Sequence, residues 1–130
     1  MKEIKFRVWD NDLEIMSYSD SEIFIMFSNN GICIGYEIND EIDDYELMQY
    51  IGLKDKNGKE IYEGDIIKFF EYKVIDNIVL PEEIVTINDI RKGCDALRPS
   101  QYMEVIGNIY ENPELLAWRI AIYDYFLVKG

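Results

Sequence analysis

The chain contains no histidine among its 130 residues. That removes the side chain whose ordinary pKa lies nearest neutrality, and with it the commonest general base and every His-containing metal site. Cysteine is scarce: Cys33 and Cys94 stand far apart and cannot complete a zinc site by themselves. Their neighbours, as in Ile32-Cys33-Ile34, suit reduced and partly buried thiols rather than a disulfide. The glycines fall in no Walker-type or dinucleotide-binding pattern, and Gly35, Gly52 and Gly64 are too widely spaced to cradle a phosphate. No apolar run approaches the ~18 residues of a membrane span. The opening residues Lys2, Glu3, Lys5 and Arg7 put charge where a signal peptide needs its apolar segment. The expected location is therefore cytoplasmic, with no membrane partner. Basic residues are missing altogether from positions 10–46, a stretch with eleven acids and no Lys or Arg.

What remains is acidic, aromatic and strand-like. The formal net charge is −13, apolar residues make up 48% and aromatic residues 14%, enough to exclude a disordered chain. One domain is the default at this length. Ten tyrosines and many isoleucines favour strands, because ring and β-branched side chains pack well on a pleated surface. A field of this sign repels phosphates, so no nucleic-acid partner is expected, and Arg91, Lys92 and Arg98 make too small a basic footprint to reverse that. The acidic surface either keeps the chain soluble or meets a basic partner.

Along the chain, Ile4-Lys5-Phe6-Arg7-Val8-Trp9 alternates apolar and charged residues with period two, the mark of a half-buried strand. Asp10-Asn11-Asp12 supplies turn chemistry, and Leu13 to Tyr18 completes a hairpin. Ile23 to Phe27 and Ile32 to Tyr36 flank the turn signal Ser28-Asn29-Asn30-Gly31. The acid-rich residues 37–46 read as a solvated loop. Leu47 to Leu53 is a further strand, followed by Asn57-Gly58, which suits a two-residue turn with positive φ at both positions. Gly64 offers a bend before the strand Ile66 to Phe70. Ile78 to Leu80 and Ile84 to Ile87 are strand pieces around Pro81, and Asn88 to Gly93 suits a short helical turn. Met103 to Tyr110 is a strand broken by Gly107. A helix is expected over 113–127: Asn112 suits the N-cap and Pro113 the first turn, and Leu115, Trp118, Ile122 and Tyr125 recur on one face.

Few of these residues carry chemistry. Glu63 and Asp65 flank Gly64 and are the carboxylate pair best placed for acid–base work or a divalent cation; their plainer role is capping a turn. The run Asp40-Glu41-Ile42-Asp43-Asp44 lacks the glycine and the spacing of a calcium loop. Trp9, Tyr50, Tyr62 and Tyr110 suit either an aromatic groove or packing within the core.

Two stretches, Leu47 to Lys68 (with Lys54-Asp55-Lys56-Asn57-Gly58-Lys59-Glu60 at its centre) and Val105-Ile106-Gly107-Asn108-Ile109-Tyr110-Glu111-Asn112-Pro113-Glu114-Leu115-Leu116, resemble the signatures of the YopX family of phage and prophage proteins. The opening Ile4 to Asp10 fits as well. The resemblance implies a phage or prophage origin, hence the cytoplasm of a bacterial host. It also implies an SH3-type β-barrel for the central part, 47–112, while residues 71–101 and the tail beyond Leu116 depart from the family pattern. Together with the N-terminal β-hairpins read over 1–46 and the C-terminal α-helix read over 113–130, the expected fold is mainly β in one domain. The resemblance supplies no catalytic residues and no cofactor or metal. The expected function is a non-enzymatic module that works by contact with a host or phage protein. The alternative is an acidic nucleic-acid mimic that occupies a DNA-binding protein. Candidate contact residues are Asp40, Glu41, Asp43, Asp44, Tyr50 and Tyr62, together with Trp118 and Phe126. The last two lie in an apolar helix stripe wide enough to imply a homo-oligomer.

Overall fold

The structure, a computed structural model, describes residues 3–69, 73–75, 78–80, 83–87 and 100–117. These residues are mainly β, and the chain divides into two compact units, Met1–Gly52 and Leu53–Gly130.

The first unit opens with β1 (Phe6–Asp10) and β2 (Ile15–Tyr18), the expected hairpin, paired antiparallel with Val8 opposite Ser17. Asp10 closes its turn: one carboxylate oxygen accepts the backbone N–H of Asp12 at 2.9 Å and of Leu13 at 3.1 Å. The second expected hairpin is β3 (Phe24–Ser28) with β4 (Gly31–Glu37), and Gly31 takes the left-handed φ of +113° that its turn demands. β6 (Tyr45–Lys54) lies on the other side of β1, with Leu47 opposite Val8. Val8, Ile34, Ile42 and Ile23 form the core between the two sheets of this unit, with Ile25, Tyr36, Tyr45 and Leu47 packed around them.

The acidic stretch corrects the expectation of a loop. Asp40–Glu41 forms a short strand, β5, on the outer side of β4, and β6 starts at Tyr45. The cause is Ile42, an apolar residue with acids on either side. It is only 6% exposed, and its N–H donates to the Ile34 carbonyl at 2.8 Å. Burying that one side chain draws the flanking acids along the edge of β4.

The second unit is built on β8 (Asp65–Phe69), which lies between β11 (Glu83–Thr86) and β12 (Met103–Asn108). Ile66 and Ile67 point to opposite faces of this strand and both are fully buried, as befits a central strand covered on two sides. β7 (Glu60–Tyr62) precedes it through a tight turn in which Gly64 has φ +85°. β9 (Lys73–Ile75) and β10 (Ile78–Leu80) form a separate antiparallel pair. β12 carries a bulge: Val105 stands opposite Ile67 and Gly107 opposite Ile66, leaving Ile106 as the extra residue.

Two local expectations change. In the turn after β6, Gly58 alone has positive φ, +82°, so this is not the two-residue turn with both central residues left-handed. Gly58 N–H donates to the Asp55 carbonyl at 3.0 Å, and Asp55 N–H donates to the Lys59 carbonyl at 2.8 Å. That is the three-residue loop, a type I turn closed by a left-handed glycine. Asp55 selects it by accepting the N–H groups of Asn57 and Lys59 on one carboxylate oxygen, at 2.8 and 2.9 Å.

Asn112 likewise does not cap the helix through its side chain. Its Oδ1 accepts the Asn108 N–H at 3.2 Å, and its backbone carbonyl takes the Leu115 N–H at 3.2 Å. A helical turn follows over 114–117. The rest of the expected helix, with Trp118 and Phe126, lies outside the described residues, as do Asn88 to Gly93, Arg91, Lys92, Cys94 and Arg98.

Candidate functional site

The four acids singled out in the sequence come together on the first unit. Asp40 and Glu41 sit on β5, and Asp43 and Asp44 lead from it into β6; all four are exposed, while Ile42 between them is buried. Burial of Ile42 alone anchors the backbone and leaves the carboxylates on both sides of it in solvent. Asp44 is also structural: its Oδ1 accepts the Asn11 side-chain amide at 2.8 Å, and its carbonyl accepts the Asn11 N–H at 3.0 Å. Glu41 is hydrogen-bonded to the Cys33 thiol, whose pKa is raised by burial first and by that carboxylate second. A thiol held protonated in this way is a poor nucleophile.

The aromatic candidates lie elsewhere. Tyr50 is 8% exposed, with the Lys5 ammonium 5.8 Å from its ring centroid, and Tyr62 is 3% exposed. Both are buried side chains rather than the walls of an open groove. Trp9 and Tyr110 are half-buried.

In the Glu63–Asp65 pair, Asp65 has a turn-capping role. Asp65 is 1% exposed, and its Oδ2 accepts the Tyr62 N–H at 2.8 Å, which closes the turn around Gly64. Glu63 is half-buried beside it. Among the described residues, no group of three or more Cys, Asp or Glu side chains is placed to hold a metal ion. No helix among them is long and apolar enough to cross a membrane.

Two carboxylates missed in the sequence organise the units. Asp10 Oδ2 accepts the Tyr36 hydroxyl at 2.8 Å while its other oxygen serves the turn. Burial would raise the pKa of Asp10, but the hydrogen bonds from Leu13, Tyr36 and Asp12 outweigh it and hold the group below its ordinary value. Tyr36 is pushed up to about 12, by burial first and then by its bond to Asp10. In the second unit Asp55 receives the Val105 N–H on Oδ2 at 3.0 Å, besides Asn57 and Lys59 on Oδ1. Its pKa is also lowered: burial opposes the charge, and these donors more than compensate. The sequence signal for both was an aspartate opening a turn.

The apolar residues of β3 are the other omission. The sequence assigns Ile23 to Phe27 to a strand without saying which face meets water, yet Met26 is 57% and Phe27 69% exposed, and Ile38 beyond β4 is 83% exposed. Phe24, Met26, Glu37, Ile38 and Asn39 line an open depression of about 570 Å³.

Fold and surface define a small, mainly β protein of two hairpin-rich units whose first unit bears an exposed acidic strand and an apolar depression. The YopX protein family model matches residues 5–117, and the chain belongs to that family. It is similar to protein EF1440 from Enterococcus faecalis, known from a crystal structure, with 28% identity and a TM-score of 0.55 over 89% of this chain and 99% of that one. No curated protein matches the chain.

Proposed function

We propose that this YopX-family chain is a phage or prophage accessory protein that acts by protein–protein contact, without catalysis, in the cytoplasm of its bacterial host. The observation that carries the reading is the exposure of Asp40, Glu41, Asp43 and Asp44 along a backbone anchored by Ile42, in a stretch that contains no base. Such a surface attracts basic proteins and excludes polyanions. The SH3-type barrel over 47–112 belongs to this proposal, supported by the short strands β7 and β8 around the Gly64 turn. So does self-association through the C-terminal stripe around Trp118 and Phe126, supported by its breadth in sequence.

The same four exposed carboxylates favour a second reading, a mimic of nucleic-acid phosphates. One experiment addresses both. Tagged wild-type protein and a variant with Asp40→Asn, Glu41→Gln, Asp43→Asn and Asp44→Asn are used to capture partners from host lysate, with and without excess duplex DNA. Contact through the acidic strand predicts that capture is lost in the variant. Competition by the duplex selects the mimic, and its failure selects the ordinary contact. Equal capture by both proteins rejects the acidic strand as the contact surface.

A further inference from the structure

The edge of the first unit's β3–β4–β5 sheet carries a more specific assignment. Among the described residues β3 is hydrogen-bonded to β4 alone, so that among them one side of Phe24–Ser28 is a sheet edge. Edge strands are ordinarily protected by a charge, a proline or a bulge. The sequence Phe24-Ile25-Met26-Phe27-Ser28 has none of these, and its pairing with β4 runs in unbroken register from Phe24–Gly35 to Ser28–Gly31.

Phe24 and Met26 share a face by the period of the strand, opposite the face on which Ile25 joins the core. That outer face holds the depression, walled by Phe24, Met26 and Ile38 and bordered by Glu37. Gly35 lets the Phe24 ring lie flat across β4, since a Cβ there would meet the ring at 2.9 Å.

We infer that β3 and this depression receive an extended basic segment of a partner protein, added as a further strand beside β3. Its main chain would continue the β3–β4 ladder on the other side of β3. Its Lys or Arg stems would lie on Phe24, Met26 and Ile38 with their charged ends toward Glu37. Long basic side chains suit such a site, because their methylenes cover apolar surface while the head stays in an acidic, wet rim. Charge selects the occupant. The segment 10–46 holds eleven acids and no base, so a second copy of this chain would bring like charge to the same edge. This inference rests on the contact reading above and names the partner chemistry for the same unit.

The test uses the full chain, ¹⁵N-labelled, and three capped nine-residue peptides: alternating Lys and Val, alternating Glu and Val, and the Lys–Val peptide N-methylated at every second amide. The Lys–Val peptide is expected to shift the amides of residues 24–28, 38 and 39. The Glu–Val and methylated peptides are expected to bind at least tenfold more weakly. Met26→Lys with Ile38→Lys, both at exposed positions that leave the core intact, is expected to weaken the Lys–Val peptide by a similar factor. Equal binding of the methylated peptide, shifts spread over the acidic surface without β3, or pairing of β3 with a second copy would each overturn the inference. If any of these occurs while lysate capture still depends on the four neutralised acids, the contact reading stands and only the β3 assignment falls.

Discussion

Asp55 holds three backbone donors from two separate elements: Asn57 and Lys59 in its own turn, and Val105 on β12. A hydrogen bond to a charged group contributes roughly 1.5–3 kcal/mol, and removing the acceptor leaves partly buried N–H groups without partners. Asp55→Ala is therefore expected to cost about 2–4 kcal/mol by the same argument, read from the urea midpoint. Asp10 and Asp55 both have lowered pKa values in the folded state. Their stabilisation is fully present above the unfolded aspartate value, about 3.9, and is lost as pH falls through the lower folded values. Stability measured from pH 6 down to pH 2 should fall below about pH 4, and Asp55→Asn should flatten that fall. Gly58 isolates backbone strain, because a Cβ there meets nothing within 4 Å while φ is +82°. Gly58→Ala is expected to cost about 1 kcal/mol. Glu14 gives the converse case: it is exposed and non-glycine at φ 56°, so Glu14→Gly is expected to gain up to ~1 kcal/mol. A thermal shift of the opposite sign at either position would reject the strain argument there.

Between elements, the legible parts of the fold were those with local signals. The hairpins β1–β2 and β3–β4 follow from period-two runs around Asp10-Asn11-Asp12 and Ser28-Asn29-Asn30-Gly31. β5 was not legible, because its formation depends on a single apolar residue, Ile42, dropping beside Ile34 from a run that otherwise reads as solvated. The turn type after β6 differs from the expectation because the Asn57-Gly58 pair is common to two loop lengths, and the deciding group is Asp55, whose carboxylate accepts the Asn57 and Lys59 N–H groups. Gly107 does not break β12, which runs through it with a bulge at Ile106, and the need for glycine there comes from five residues on: a Cβ at Gly107 would meet the Asn112 Cγ at 2.7 Å and Cβ at 2.9 Å. That neighbour is fixed by the Asn108–Asn112 hydrogen bonds and has little room to move. Gly107→Ala should consequently destabilise more than Gly58→Ala, by about 2 kcal/mol or more, since overpacking adds to whatever the backbone requires. A smaller midpoint change at Gly107 than at Gly58 would mean that the bulge relaxes freely.

For the molecule as a whole, charge sets what it can meet. At −13 the protein should not retain duplex DNA at physiological salt in a gel shift; tight, salt-sensitive retention would oppose both the contact and the mimic readings. The C-terminal stripe of Leu115, Trp118, Ile122 and Tyr125 predicts a dimer by light scattering for the full chain and a monomer for a chain ending at Leu116. A monomeric full chain at micromolar concentrations would assign that stripe to the chain's own core. The acidic candidates were legible in composition, but their common exposure depended on β5, and the apolar depression beside them depended on which face of β3 meets the core. The most direct measurement of the contact claim is zero-length coupling of carboxylates to lysines in a captured complex, followed by mass spectrometry. The account predicts linkages from Asp40, Glu41, Asp43 and Asp44 to partner lysines; linkages confined to acids of the second unit, such as Glu104, Glu111 and Glu114, would contradict it.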